Sequence, residues 1–101
     1  MGIEVEWRDE RGKVLGQITD SASLLRAALA DAPSQSTQYL RYIDPYGDTT
    51  FNQLQLPALI AEFNALVEAC TGEAAIHLRS VGALLVSACG QVHTYVTFVG
   101  D

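Results

Sequence analysis

The sequence predicts an α+β fold: a mostly antiparallel sheet of about five strands with three helices, in the order ββα-ββ-αα-β. Three observations carry that prediction. Apolar and polar residues alternate in short runs that come in pairs, each pair separated by turn-forming residues, which is how hairpins read. Two longer segments place apolar residues at helical spacing. Strands grouped in hairpins, instead of alternating singly with helices, favour an antiparallel sheet with helices packed on one face. At 101 residues, 49 % of them apolar, the chain suits a single domain spanning 1–101 and is too apolar for intrinsic disorder.

Taken in order, Ile3, Val5 and Trp7 alternate with Glu4, Glu6 and Arg8, the pattern of a strand with one face buried. Asp9 to Lys13 is a turn, and Val14 to Ile18 returns as the second strand. Asp20 or Ser21 then caps a helix through Ala30 whose stripe is Leu24, Leu25 and Leu29. Asp31 to Thr37, with Pro33, reads as a loop.

A second hairpin is expected near the middle of the sheet. Tyr39–Ile43 is β-prone, Asp44-Pro45-Tyr46-Gly47-Asp48 forms a tight corner, and Thr49–Asn52 is a short return strand. Pro45 fixes φ for the first half of the turn, and Gly47 can supply the positive φ of the second. Pro57 marks the first turn of the next helix, with Leu59, Ile60, Phe63, Leu66, Val67 and Cys70 on one continuous face and Thr71-Gly72 at its end. Residues 73–89 fit either a helical face or, around Ile76–Arg79, strand alternation. Alanine content and length favour helix despite Gly82, which costs about 1 kcal/mol inside one. Val92–Val99, rich in β-branched and aromatic residues, is the last strand.

Twelve acids face six bases, a net charge of −6, and the imbalance is local. Residues 27–78 hold Asp31, Asp44, Asp48, Glu62, Glu68 and Glu73 against Arg41 alone, a local net of −5. Such a field repels nucleic-acid phosphates and anionic lipid and attracts a basic protein or a cation. No run approaches the ~18 apolar residues of a membrane span, and the first ten residues lack the apolar core of a signal peptide. A soluble cytoplasmic protein is the simplest expectation, with Cys70 and Cys89 as packing thiols.

No motif for a reaction or cofactor accompanies these features: there is no Gly-rich phosphate loop and no Cys/His set with zinc spacing. The expectation is a protein that is not an enzyme. Asp44-x-Tyr46-x-Asp48 looks like the opening of a calcium loop but lacks its remaining oxygen ligands and closing glutamate. Asp44 is better suited to accepting backbone N–H groups and pinning its turn. His93 alternates with core-facing candidates of the last strand, and Tyr95 shares its side. That pair could exchange a proton, yet a structural histidine is the simpler role, as it is for His77. Tyr46 stands out among the aromatics, because a hairpin corner is exposed almost by construction and a tyrosine there can anchor a partner.

The runs Ile43-Asp44-Pro45-Tyr46-Gly47-Asp48-Thr49-Thr50-Phe51-Asn52-Gln53-Leu54-Gln55 and Thr94–Asp101 are similar to small uncharacterised bacterial proteins. In size and acidity the chain also resembles immunity proteins, which protect a bacterium from its own secreted toxins. That resemblance implies a binding module that blocks a basic toxin, such as a nuclease, and it assigns no residue a role. From the residues themselves, the expected contact set is Asp44, Tyr46 and Asp48, with Glu62 and Glu68 as rim charges. Two other readings compete: a metal- or metabolite-binding sensor or enzyme using Asp44, Asp48 and His93, and a homodimer joined through an edge strand or the apolar 73–89 segment.

Overall fold

The structure, a computed structural model, describes residues 2–31 and 37–100. The chain runs β1 (Glu4–Asp9), β2 (Val14–Ile18), α1 (Leu24–Asp31), β3 (Asp48–Asn52), α2 (Leu56–Glu68), α3 (Gly72–Cys89) and β4 (Thr94–Val99). Short 3-10 turns occupy Ser21–Ser23 and Leu40–Tyr42. The sheet has four antiparallel strands in the order β2-β1-β4-β3, so the α+β class holds and the expected fifth strand is absent from the described residues.

That missing strand is Tyr39–Ile43. Three consecutive N–H groups, those of Gln38, Tyr39 and Leu40, donate to the Glu62 carboxylate at 2.6, 3.0 and 3.0 Å. An extended strand points successive N–H groups to opposite sides, so three in a row meeting one carboxylate force a tight turn. The apolar residues of the segment still serve the core. Leu40 and Ile43 are buried, and the Tyr39 ring meets Phe51 edge-on at 6.1 Å. The Asp44–Asp48 corner therefore joins a 3-10 turn to an edge strand, and lies at the sheet's margin instead of its middle.

The first hairpin forms as expected. Asp9 Oδ1 accepts the N–H groups of Arg11 and Lys13, both at 2.9 Å, and Gly12 adopts the positive φ of 85° that closes the turn. Asp20 caps α1 by accepting from Leu25 and Arg26, although Ala22 and Ser23 must first pass through left-handed conformations. The predicted loop across Pro33 falls on residues 32–36, outside the described residues.

Asn52 and Gln55 exchange side-chain-to-backbone hydrogen bonds at 2.9 and 3.1 Å ahead of α2, satisfying donors the helix start leaves open. Residues 72–89 are helical, as alanine content and length favour, and α3 lies across β1, β2 and β4 with α1 and α2 beside it. Val5, Val96, Phe98 and Phe51 from the sheet, with Ile3 just ahead of β1, meet Leu25, Leu59, Phe63, Leu78, Val81 and Leu85 from the helices in one core. Phe51 and Phe98 pack edge to face at 5.8 Å. All three helices sit on this face, and the other face of the sheet is open. Cys70 and Cys89 are half-buried free thiols. No helix among the described residues is long and apolar enough to cross a membrane.

Candidate functional site

The corner is built to hold one shape. Asp44 Oδ1 accepts the Tyr46 N–H at 2.8 Å, and the Thr49 hydroxyl accepts the Asp44 N–H at 3.0 Å. Asp44 thus does the turn-pinning work its position suggests. On the other side, Gly100 lies flat against the corner and donates its N–H to the Gly47 carbonyl at 2.8 Å. Tyr46 is 73 % exposed, and its ring is covered on one side by the Arg26 guanidinium, 4.8 Å from the centroid.

Asp48 begins β3 and is exposed on the open face of the sheet. Register explains its company there. Val99 pairs with Glu4 on one side and with Asp48 on the other, and residues directly across a ladder share a face. Two strand spacings, about 10 Å, separate the two residues along the sheet, and Gln17 of β2 holds the Glu4 carboxylate on the side away from Asp48. One row further along, Gln17, Glu6, Thr97 and Thr50 line up, with the two threonine hydroxyls 2.9 Å apart. Arg8 bonds Glu6 from the same strand, while Gln17 reaches Glu4 at 3.2 Å. These rows are mostly polar; Arg8 offsets the charge of Glu6, and Glu4 and Asp48 give the face negative charge at the end that adjoins the corner.

Glu62 and Glu68 lie on α2, six residues or about 9 Å apart along its axis. Glu68 is exposed. Glu62 is the residue that shapes the 38–42 turn, so its oxygens already have intramolecular donors. Partial burial pushes its carboxyl up, but the three backbone N–H groups and the nearby Arg41 charge pull it further down, and the net lies below the ordinary value of 4.5. It stays ionised and contributes to the field.

The sequence pattern already set Glu4 and Glu6 on the outward side of β1. It carried no sign that β3 would pair with β4, which is what brings Asp48 into their row. His93 sits just before β4 with φ 59°, exposed and 3.7 Å from Glu10. Asp48 pairs with the far end of β4, so six strand residues, about 20 Å, separate it from His93. Asp44, Asp48 and His93 therefore do not share a site. Among the described residues no group of three His, Cys, Asp or Glu side chains is arranged to hold a metal ion. His77 lies inside the fold, with Nε2 3.2 Å from Asp20 Oδ1 but without the alignment of a hydrogen bond.

Comparison with protein-family models, curated proteins and solved structures finds no match to this chain.

Proposed function

We propose that this chain is a protein-binding module, not an enzyme, that recognises a basic protein through the Asp44–Asp48 corner and the adjoining acidic end of its open sheet face. Its most concrete biological form is the one the resemblance implies, an immunity protein that neutralises a secreted toxin such as a nuclease in the bacterial cytoplasm. The observation that carries the reading is the Glu4–Val99–Asp48 row. It sets two acidic residues two strands apart on an uncovered sheet face, next to an exposed tyrosine on a braced corner. Their negative charge can stand in for phosphates in a cationic cleft, and complementary fields speed encounter. Tyr46 adds apolar area with a polar tip at small entropic cost, and Glu62 and Glu68 extend the negative field at the rim.

The test is co-purification with the product of the neighbouring gene, followed by titration calorimetry. The Glu4→Gln/Asp48→Asn double variant is expected to bind at least tenfold more weakly at low salt, and Tyr46→Ala to dissociate faster. Undiminished binding by both variants would remove this surface from the account.

A further inference from the structure

On the far side of Tyr46 lies a cleft of about 390 Å³, within the usual range of small-molecule sites, about 300–1,000 Å³. Its floor is apolar, from Ile3, Leu29 and Ile43, and two arginines line it: Arg26 from α1 and Arg41 from the 40–42 turn. The chain has six basic residues against twelve acids, so two arginines lining one hollow run against its overall charge.

Neither arginine makes an ion pair among the described residues. Each is instead seated on a tyrosine ring. Arg26 covers Tyr46 at 4.8 Å, and Arg41 covers Tyr42 at 4.9 Å while donating to its hydroxyl at 3.1 Å. Stacking on a ring uses the flat face of a guanidinium and leaves N–H donors at its edge. The acid whose charge Arg41 feels is Glu62, and that carboxylate is already accepting from the 38–40 backbone.

From this geometry we infer that the cleft is a binding site for a small carboxylate with an apolar body, its carboxylate held by Arg26 and Arg41 and its body laid on the Ile3–Leu29–Ile43 floor. A bare inorganic anion would leave the floor unused. A neutral apolar molecule would give the donor edges of the two arginines no acceptor. A carboxylate offers two oxygens to the donor edge of an arginine, the geometry that planar group favours. The site shares Pro45 and Tyr46 with the corner proposed for a protein partner, but its anion donors are Arg26 and Arg41, which that reading does not use, so either can fail without the other.

The experiment is a titration of the isotope-labelled full chain with 4-phenylbutyrate, followed by backbone amide signals. Saturable shifts are expected at Arg26, Tyr46 and the 40–43 turn, with half-saturation in the low-millimolar range or tighter, given the small size of the probe. Arg26→Gln and Arg41→Gln should each weaken binding at least fivefold while the amide spectrum stays folded. On the unmodified protein, 4-phenylbutanamide should bind at least fivefold more weakly than the acid, and inorganic phosphate should not saturate these signals. Equal binding of the amide overturns the proposal by removing the arginines from it, and equal binding of phosphate overturns it by removing the floor. A phenylalanine-terminated peptide that binds where 4-phenylbutyrate does not also overturns it, in favour of a protein-terminus site. No saturable shift with 4-phenylbutyrate ends the idea.

Discussion

Replacing Asp20 with asparagine keeps the side chain's shape and removes its charge, at a point where three elements meet. The Asp20 carboxylate is almost fully buried and accepts from Ile3 N at 2.9 Å, Leu25 N at 2.8 Å and Arg26 N at 3.1 Å. It therefore ties the entry of β1 to the first turn of α1. Asparagine has one acceptor oxygen. Whichever oxygen is replaced, at least one buried N–H then faces an NH₂ group, a loss of about 1–3 kcal/mol, and the surviving bonds lose their charge assistance. The expected total is about 2–3 kcal/mol, a large share of a stability that for such domains is about 5–15 kcal/mol. In a domain of this length that lowers the melting temperature by roughly 10–20 °C. Calorimetry or circular-dichroism melts at pH 7 measure it. His77→Gln is the companion variant. Because His77 approaches Asp20 without hydrogen-bond alignment, its replacement should cost less than half as much. If Asp20→Asn melts within 3 °C of the parent, the three N–H anchors do not hold this junction, and the reasoning is wrong.

Three further outcomes are expected. Glu62→Gln should destabilise the chain by about 1–2 kcal/mol at pH 7, a value reduced for its partial exposure to solvent. Because its folded carboxyl lies below the ordinary 4.5, the stability it adds is present above that pH and lost as pH falls through the folded value. The gap between parent and variant in denaturant melts should thus close in strong acid, and a gap of constant size from pH 7 to pH 3 would count against the charge. Gly100→Ala places a methyl 2.5 Å from Pro45 C and 2.7 Å from Gly47 N, both backbone atoms that cannot swing away. It should cost about 1–3 kcal/mol and broaden the amide signals of the corner. Gly82→Ala should do the reverse. A Cβ there meets only Phe63 Cδ2, at an ordinary 3.8 Å, so the helix-propensity gain of about 0.8–1 kcal/mol should appear nearly in full as a raised melting temperature.

The parts of this fold legible in the sequence are those that local rules decide. The first hairpin follows from strict alternation and an Asp-x-x-Gly turn, α2 from a continuous apolar face behind Pro57, and α3 from alanine content over a long segment. Tyr39–Ile43 failed because its composition is strand-like while its backbone partner, Glu62, lies over twenty residues downstream. Nothing local tells a β-prone run that a distant carboxylate will gather its N–H groups. The same kind of blindness hid half of the candidate site. Alternation placed Glu4 and Glu6 on an outward face, and turn chemistry placed Asp44 and Tyr46 at a corner. Only the pairing of both β1 and β3 with the final strand sets Asp48 beside Glu4. Arg26 and Arg41, fifteen residues apart and on different elements, likewise give no sequence signal of sharing a cleft.

Charge on this molecule is therefore sorted by place in a way the net value of −6 conceals. Glu4 and Asp48 start from backbones about 10 Å apart, close to the Debye length of ~8–10 Å at ordinary ionic strength. They act on an approaching partner as one field, and that field is largely lost in high salt. Arg26 and Arg41 work differently. Their reach toward an anion is set by contact inside a partly apolar hollow, where salt screens less. Raising ionic strength should thus weaken recognition of a basic protein at the sheet face far more than retention of a small carboxylate in the cleft. Tyr46 belongs to both regions. It is the exposed aromatic at the corner, and its ring also seats Arg26.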